Sequence, residues 1–154
     1  MRLHRVLVPL AVLALALAGC GSAAEPPDDR PGTVTGHAAA ASGMSCASDP
    51  DDCVGVLFLY VVEEDPLVNL AQTPLAITVV ESADLSGGNR VPFTLTDVPP
   101  GTWYLAGFLD DDANASRMAP MPDLGDPIPY PFPQVTVEPA ATTARDLVLS
   151  IRMP

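Results

Sequence analysis

Proline and glycine remove most of the options open to this chain. Eighteen prolines and eleven glycines are spread along it, leaving few windows long enough for a helix. A proline inside a helix costs about 3 kcal/mol, because it removes a donor and clashes with the preceding turn. The segments between these breaks are short, apolar and rich in β-branched and aromatic residues, which suits strands. Residues 33–36 open the series. Val54–Val62 is an almost unbroken apolar run, the pattern of a buried central strand, and Glu63, Glu64, Asp65 and Pro66 stop it. Residues 75–80 form the next strand, and 84–89, with Gly87 and Gly88, a turn. Residues 91–96 alternate, with Val91, Phe93 and Leu95 on one face. Residues 102–109, 134–138 and 146–151 complete the set. Two alanine-rich pieces, 38–41 and 140–144, have the composition for a helical turn.

About seven short strands at regular spacing, separated by turn residues, predict an all-β chain folded as a single β-sandwich. The domain spans residues 32–154, long enough to bury a core. Pro127, Pro129, Pro131 and Pro133 alternate with Ile128, Tyr130 and Phe132. Proline cannot donate to a ladder, so this segment belongs at an edge, as an arm that lays its apolar side chains over the sandwich.

The first residues read differently. Arg2, His4 and Arg5 precede an apolar run over residues 6–18, which ends in Leu17-Ala18-Gly19-Cys20. A basic start, a short apolar stretch and small residues before a cut site make a secretory signal, too short for an ordinary membrane span. The last four residues resemble a bacterial lipobox. That resemblance implies a signal peptide over 1–19, an acylated Cys20 (a palmitate-type anchor) and attachment to the membrane of the cell envelope. Gly21 is not Asp, and in a cell with two membranes this resembles the pattern sorted to the outer one. Residues 20–31, with Pro26, Pro27 and Pro31, then serve as an acidic tether.

Nineteen acidic residues face seven arginines and no lysine. Without Arg2 and Arg5 the formal charge is 5 − 19 = −14. Phosphate binding needs a basic surface, so nucleic acid is excluded as a partner. Anionic lipid would repel such a domain, which leaves the acyl chain to hold it. If Cys20 carries lipid, Cys46 and Cys53 remain, bracketing a turn sequence. In an oxidising compartment they are expected to form a disulfide; a two-thiol metal site is the rival, with only His37 as a further soft ligand.

The turn Asp97-Val98-Pro99-Pro100-Gly101-Thr102-Trp103 follows the aromatic-bearing strand that starts near Phe93. Pro100 presets a corner and Gly101 accepts positive φ. This stretch resembles transthyretin-like and carboxypeptidase-regulatory-like β-sandwich domains, with Trp103 where tyrosine is usual. The resemblance implies a prealbumin-like or Ig-like sandwich and no activity. In the strand that follows, Trp103, Leu105, Gly107 and Leu109 share one face, and Tyr104, Ala106, Phe108 and Asp110 the other. Trp103 is expected in the core.

That strand runs into Asp110-Asp111-Asp112-Ala113-Asn114-Ala115-Ser116. Asp110, Asp112 and Asn114 occupy positions 1, 3 and 5 of an Asp-x-Asp-x-Asn loop, whose side-chain oxygens converge on one point, and the Ser116 carbonyl falls at position 7. Hard oxygen donors are what calcium takes. Ala115 replaces the usual glycine, Met121 stands where a bidentate glutamate would be, and no helices flank the loop, so this is not an EF-hand. Asp123 or Asp126 would have to fold back and close the shell. With the Pro-Asp-x-Gly-Asp run that follows, the pattern also looks like calcium-dependent loops of bacterial surface sandwiches.

Catalytic groups are scarce. His37 is the one histidine beyond the leader, and no nucleophile elbow or glycine-rich phosphate loop occurs. The expectation is therefore a non-enzymatic structural or binding module with an unidentified protein or glycan partner. A carbohydrate-binding surface using Tyr104, Tyr130 or Phe132 is one alternative. A small hydrolase with a catalytic metal in the acidic loop is another.

Overall fold

The computed structural model describes residues 28–44, 53–69, 71–117 and 120–154. The expected lipid site Cys20, and Cys46, the expected partner of Cys53, lie outside them. Nine strands form among the described residues: β1 (Gly32–Ala40), β2 (Val54–Val62), β3 (Ala76–Asp84), β4 (Arg90–Val98), β5 (Gly101–Asp110), β6 (Pro127–Pro129), β7 (Gln134–Val137), β8 (Thr142–Ala144) and β9 (Leu147–Arg152). The seven strands expected from the sequence are all present; β6 and β8 are three-residue additions. One sheet has the order β3-β2-β5-β7 and is antiparallel throughout. The other has the order β4-β1-β9-β6, with β8 also on β1.

The alanine-rich pieces do not form helical turns. Ala38, Ala39 and Ala40 continue β1, which is paired along both edges, to β4 on one side and to β8 and β9 on the other. The ladder hydrogen bonds outweigh a helix preference of a few tenths of a kcal/mol per alanine. Ala140 sits in a turn at φ 52°, and residues 142–144 become β8. β8 and β9 run parallel to β1 along the same edge, and the break between them falls opposite Gly36. There the Arg145 carbonyl comes so close that a Cβ on Gly36 would lie 2.0 Å from its oxygen.

The apolar face of each strand goes into one of two clusters. The first fills the space between the sheets. It holds Leu57, Leu59 and Val61 of β2, Leu105 and Leu109 of β5, and Val34, Leu95, Leu147 and Leu149 of the facing sheet. The second gathers the alternate residues of the same two strands, Phe58, Ala106 and Phe108, under Ile128 and Phe132. Phe58 and Phe108 stack with ring centroids 4.8 Å apart. Burial on both faces explains why β2 reads as a continuous apolar run rather than an alternating one. It also gives the proline-rich arm its place: Pro127, Ile128 and Pro129 are buried, β6 is an edge strand on β9, and Tyr130 stays 55% exposed. Trp103 is partly buried against the first cluster.

Candidate metal centre

β5 carries Phe108 into the second cluster and, two residues on along the same face, brings Asp110 to the rim of that cluster. The strand ends there because the Asp110 carboxylate takes over the next amides. Its Oδ1 accepts from the Asn114 amide at 3.0 Å and its Oδ2 from the Ala115 amide at 3.2 Å. The Asp112 Oδ1 accepts from the same Asn114 amide at 3.3 Å. Such side-chain to backbone bonds are how aspartate closes a turn in place of a ladder. Ala113, at φ 60°, completes the curl. On the neighbouring strand, a Cβ at Gly55 would lie 2.1 Å from the Asp110 carbonyl oxygen, so only glycine lets β2 run beside the start of the loop.

The chain returns sixteen residues later. Asp126 is 1% exposed and Asp110 3%. Asp110, Asp112 and Asp126 each present a carboxylate oxygen within 4.8 Å of the other two. The Asp126 Oδ2 accepts from the Asp123 amide at 2.9 Å. Its Oδ1 is buried and has no hydrogen-bond partner among the described residues. Burial, the neighbouring Asp123, Asp110 and Asp111 charges adding to it, pushes the Asp126 carboxyl up to about 7, against the hydrogen bond from Asp123. The Asp112 carboxyl is also raised, by desolvation and then by the charge of Asp123.

The remaining expected site residues are placed differently from one another. Asn114 turns its side-chain amide nitrogen, not its oxygen, toward the carboxylates: Nδ2 donates to Asp112 Oδ2 at 2.8 Å and also to Asp123 Oδ2. Asp123 is thus linked to the loop through Asn114. Ser116 is exposed, further along the loop. Of the two residues proposed to fold back, Asp126 joins Asp110 and Asp112 directly. Arg152, unmarked by the sequence reading, holds the far side: its Nη1 lies 3.2 Å from Asp111 Oδ2 and donates to the Gly125 carbonyl at 2.7 Å. Gly125 and Asp126 are also zipped to Met153 by backbone bonds of 3.0 and 2.8 Å. An isolated arginine near a C-terminus carries no local signal of such a role. The glycine at 55, inside an apolar strand, is a signal of close backbone approach.

A set of carboxylates with no sulfur or nitrogen donor suits a hard cation. Two of the three carboxylates are almost fully withdrawn from water and lie close together, an arrangement that a divalent ion would relieve.

Other expected surfaces differ from this one. Of the three aromatic residues considered for sugar stacking, Tyr104 and Phe132 pack into the second cluster and only Tyr130 is exposed. His37 lies on β1, where its amide donates to Asp146 Oδ1 at 2.8 Å. An open cleft of about 260 Å³ lies between the β2–β3 loop and the returning acidic segment, lined by Tyr60, Pro66, Gln72, Pro74, Pro120 and Met121. Among the described residues no helix is long and apolar enough to cross a membrane. The chain matches no protein-family model, no curated protein and no solved structure.

Proposed function

We propose that this protein is a lipid-anchored component of a bacterial cell envelope whose sandwich domain is a non-enzymatic structural or binding module, with the loop after β5 ordered by calcium. The observation that carries the calcium reading is the buried Oδ1 of Asp126, partnerless among the described residues, beside the carboxylates of Asp110 and Asp112. Burying a charged oxygen without a partner costs several kcal/mol, and a bound cation removes that cost. The envelope reading rests on the lipobox-like leader ending at Cys20 and on the tether over residues 20–31. The domain over 32–154 is read as a prealbumin-like or Ig-like sandwich from its Pro-Pro-Gly turn. A Cys46–Cys53 disulfide fits the same compartment, with Cys53 fully buried where β2 begins. The partner is a protein or glycan rather than nucleic acid, in keeping with the acidic balance.

The test is thermal unfolding of the purified protein in calcium and in EDTA. An ion bound only by the native state at 100 times its Kd adds about 2.7 kcal/mol. Calcium is expected to raise the midpoint, and Asp112→Ala to abolish the gain. Equal midpoints in calcium and EDTA would show a solvated loop and end the calcium reading.

A further inference from the structure

The Asp-x-Asp-x-Asn spacing places a cation within one short loop, whereas the carboxylates that actually converge come from separated parts of the chain. Asp110 ends β5, Asp112 lies on the loop, and Asp126 stands immediately before β6. Between them the chain leaves the sheet over residues 111–117 and comes back over 120–125. It is tied down at its return by Arg152 on the Gly125 carbonyl and by backbone bonds to Met153, both next to the end of β9. Arg152 also reaches Asp111 at the start of the excursion. Asn114 and Asp123 bond to each other across the middle.

We infer that a divalent cation held by Asp110, Asp112 and Asp126 is the clasp that closes this excursion onto β5 and the end of β9, with Asp126 the ligand that makes the closure long-range and Asn114 and Asp123 in a supporting hydrogen-bond layer. The inference rests on the calcium reading above and adds to it the ligand set and the part of the molecule that the ion controls. The acidic cluster alone would not assign a site. Beside the other two carboxylates, the Asp126 Oδ1 is almost fully buried and has no donor among the described residues. Arg152 Nη1 is engaged by Asp111 and by the Gly125 carbonyl. The ligand chemistry is that of calcium. Three protein carboxylates, two of them buried, leave little room for the hydration shell that magnesium retains. The same segment carries Pro120 and Met121, which line the cleft with Tyr60, so the clasp also fixes that wall.

The chain has a built-in reporter. It contains no lysine, and Arg117 lies exposed within the excursion, with the other six arginines outside it. Tryptic cleavage after Arg117 therefore reads the opening of this one segment, and its rate follows the open population when closing is fast. The full chain, stripped with EDTA, is titrated with calcium chloride by calorimetry and digested in parallel. Expected for the wild type is one bound ion and at least tenfold slower cleavage after Arg117. Asp126→Asn, nearly isosteric, is expected to lose both responses, and Asp112→Asn, at an exposed position, provides the same test should the first variant fold poorly. Asp97→Asn, exposed beside the turn at the other end of β5, is expected to keep both. If the wild type takes up no calcium, the calcium reading fails and takes the clasp with it. If it binds calcium but cleavage after Arg117 is unchanged, or if Asp126→Asn binds and is protected as the wild type is, the clasp is overturned while the calcium reading stands.

Discussion

The two ends of β5 solve opposite problems. At its start the chain turns through Pro99, Pro100 and Gly101, and every demanding group there is met within five residues. Gly101 takes φ 148°, where a Cβ would lie 2.4 Å from the Trp103 ring. The Trp103 indole nitrogen donates to the Pro99 carbonyl at 2.8 Å. At its end the strand delivers Asp110 into a buried position beside Asp126, and one carboxylate oxygen is left without a donor. The first end is neutral and closed by local geometry. The second is charged and closed by residues from the far end of the chain. The lesson is that a turn can be complete in itself, while an acidic strand end this deep relies on something that neutralises it.

Three changes would break or sharpen this contrast. The largest effect is expected at Gly55. A Cβ there collides with the Asp110 carbonyl, which is backbone and cannot swing aside. Gly55→Ala should therefore cost about 3 kcal/mol in denaturant unfolding by forcing β2 and β5 apart at the acidic end. A loss under about 0.5 kcal/mol would mean that the two strands have slack there, contrary to the packing described.

The next effect is a pH dependence confined to the metal-free protein. Asp126 titrates at about 7 in the fold, against 3.8 for an ordinary aspartate. A raised carboxyl binds its proton more tightly in the native state. Its contribution to stability is thus complete below pH 4 and is lost as the pH rises to about 7. In EDTA, unfolding free energy should fall over that window by up to about 1.4 kcal/mol per pH unit from this group. Asp126→Asn should flatten the slope, and calcium should offset it at pH 7. A slope unchanged in the variant would assign the titration elsewhere.

The smallest effect belongs to the closed end. Trp103→Phe keeps most of the ring and removes the indole donor to Pro99, at a cost of about 1 kcal/mol. Its response to calcium should equal that of the wild type. A changed response would show that the two ends of the strand communicate.

Much of the framework was legible because it is periodic. The run of β2 reads as a buried central strand, and the alternation of β5 sorts Leu105 and Leu109 from Ala106 and Phe108, as the two clusters do. The arm was legible from proline chemistry for Ile128 and Phe132, which are buried, but not for Tyr130, which faces solvent. The alanine-rich pieces misled because local preference ignores edge pairing: Ala38 and Ala39 have partners on both sides and Ala40 on one. At the acidic site the spacing pointed to Asp110 and Asp112, and to Asp126 only as one of two choices. It could not orient the Asn114 amide, which donates to carboxylates.

By itself, then, the sequence determined an all-β chain, the faces of its strands and the acidic end of β5, because each follows from spacing within a few residues. The tertiary structure alone decided that Asp126 rather than Asp123 meets Asp110 and Asp112, that Arg152 binds Asp111 and Gly125, and that Gly55 leaves room for Asp110. Those contacts join residues brought together only when β6 pairs with β9 and β2 with β5. No local rule encodes them, since their energies come from burial and from charges set side by side by the whole fold.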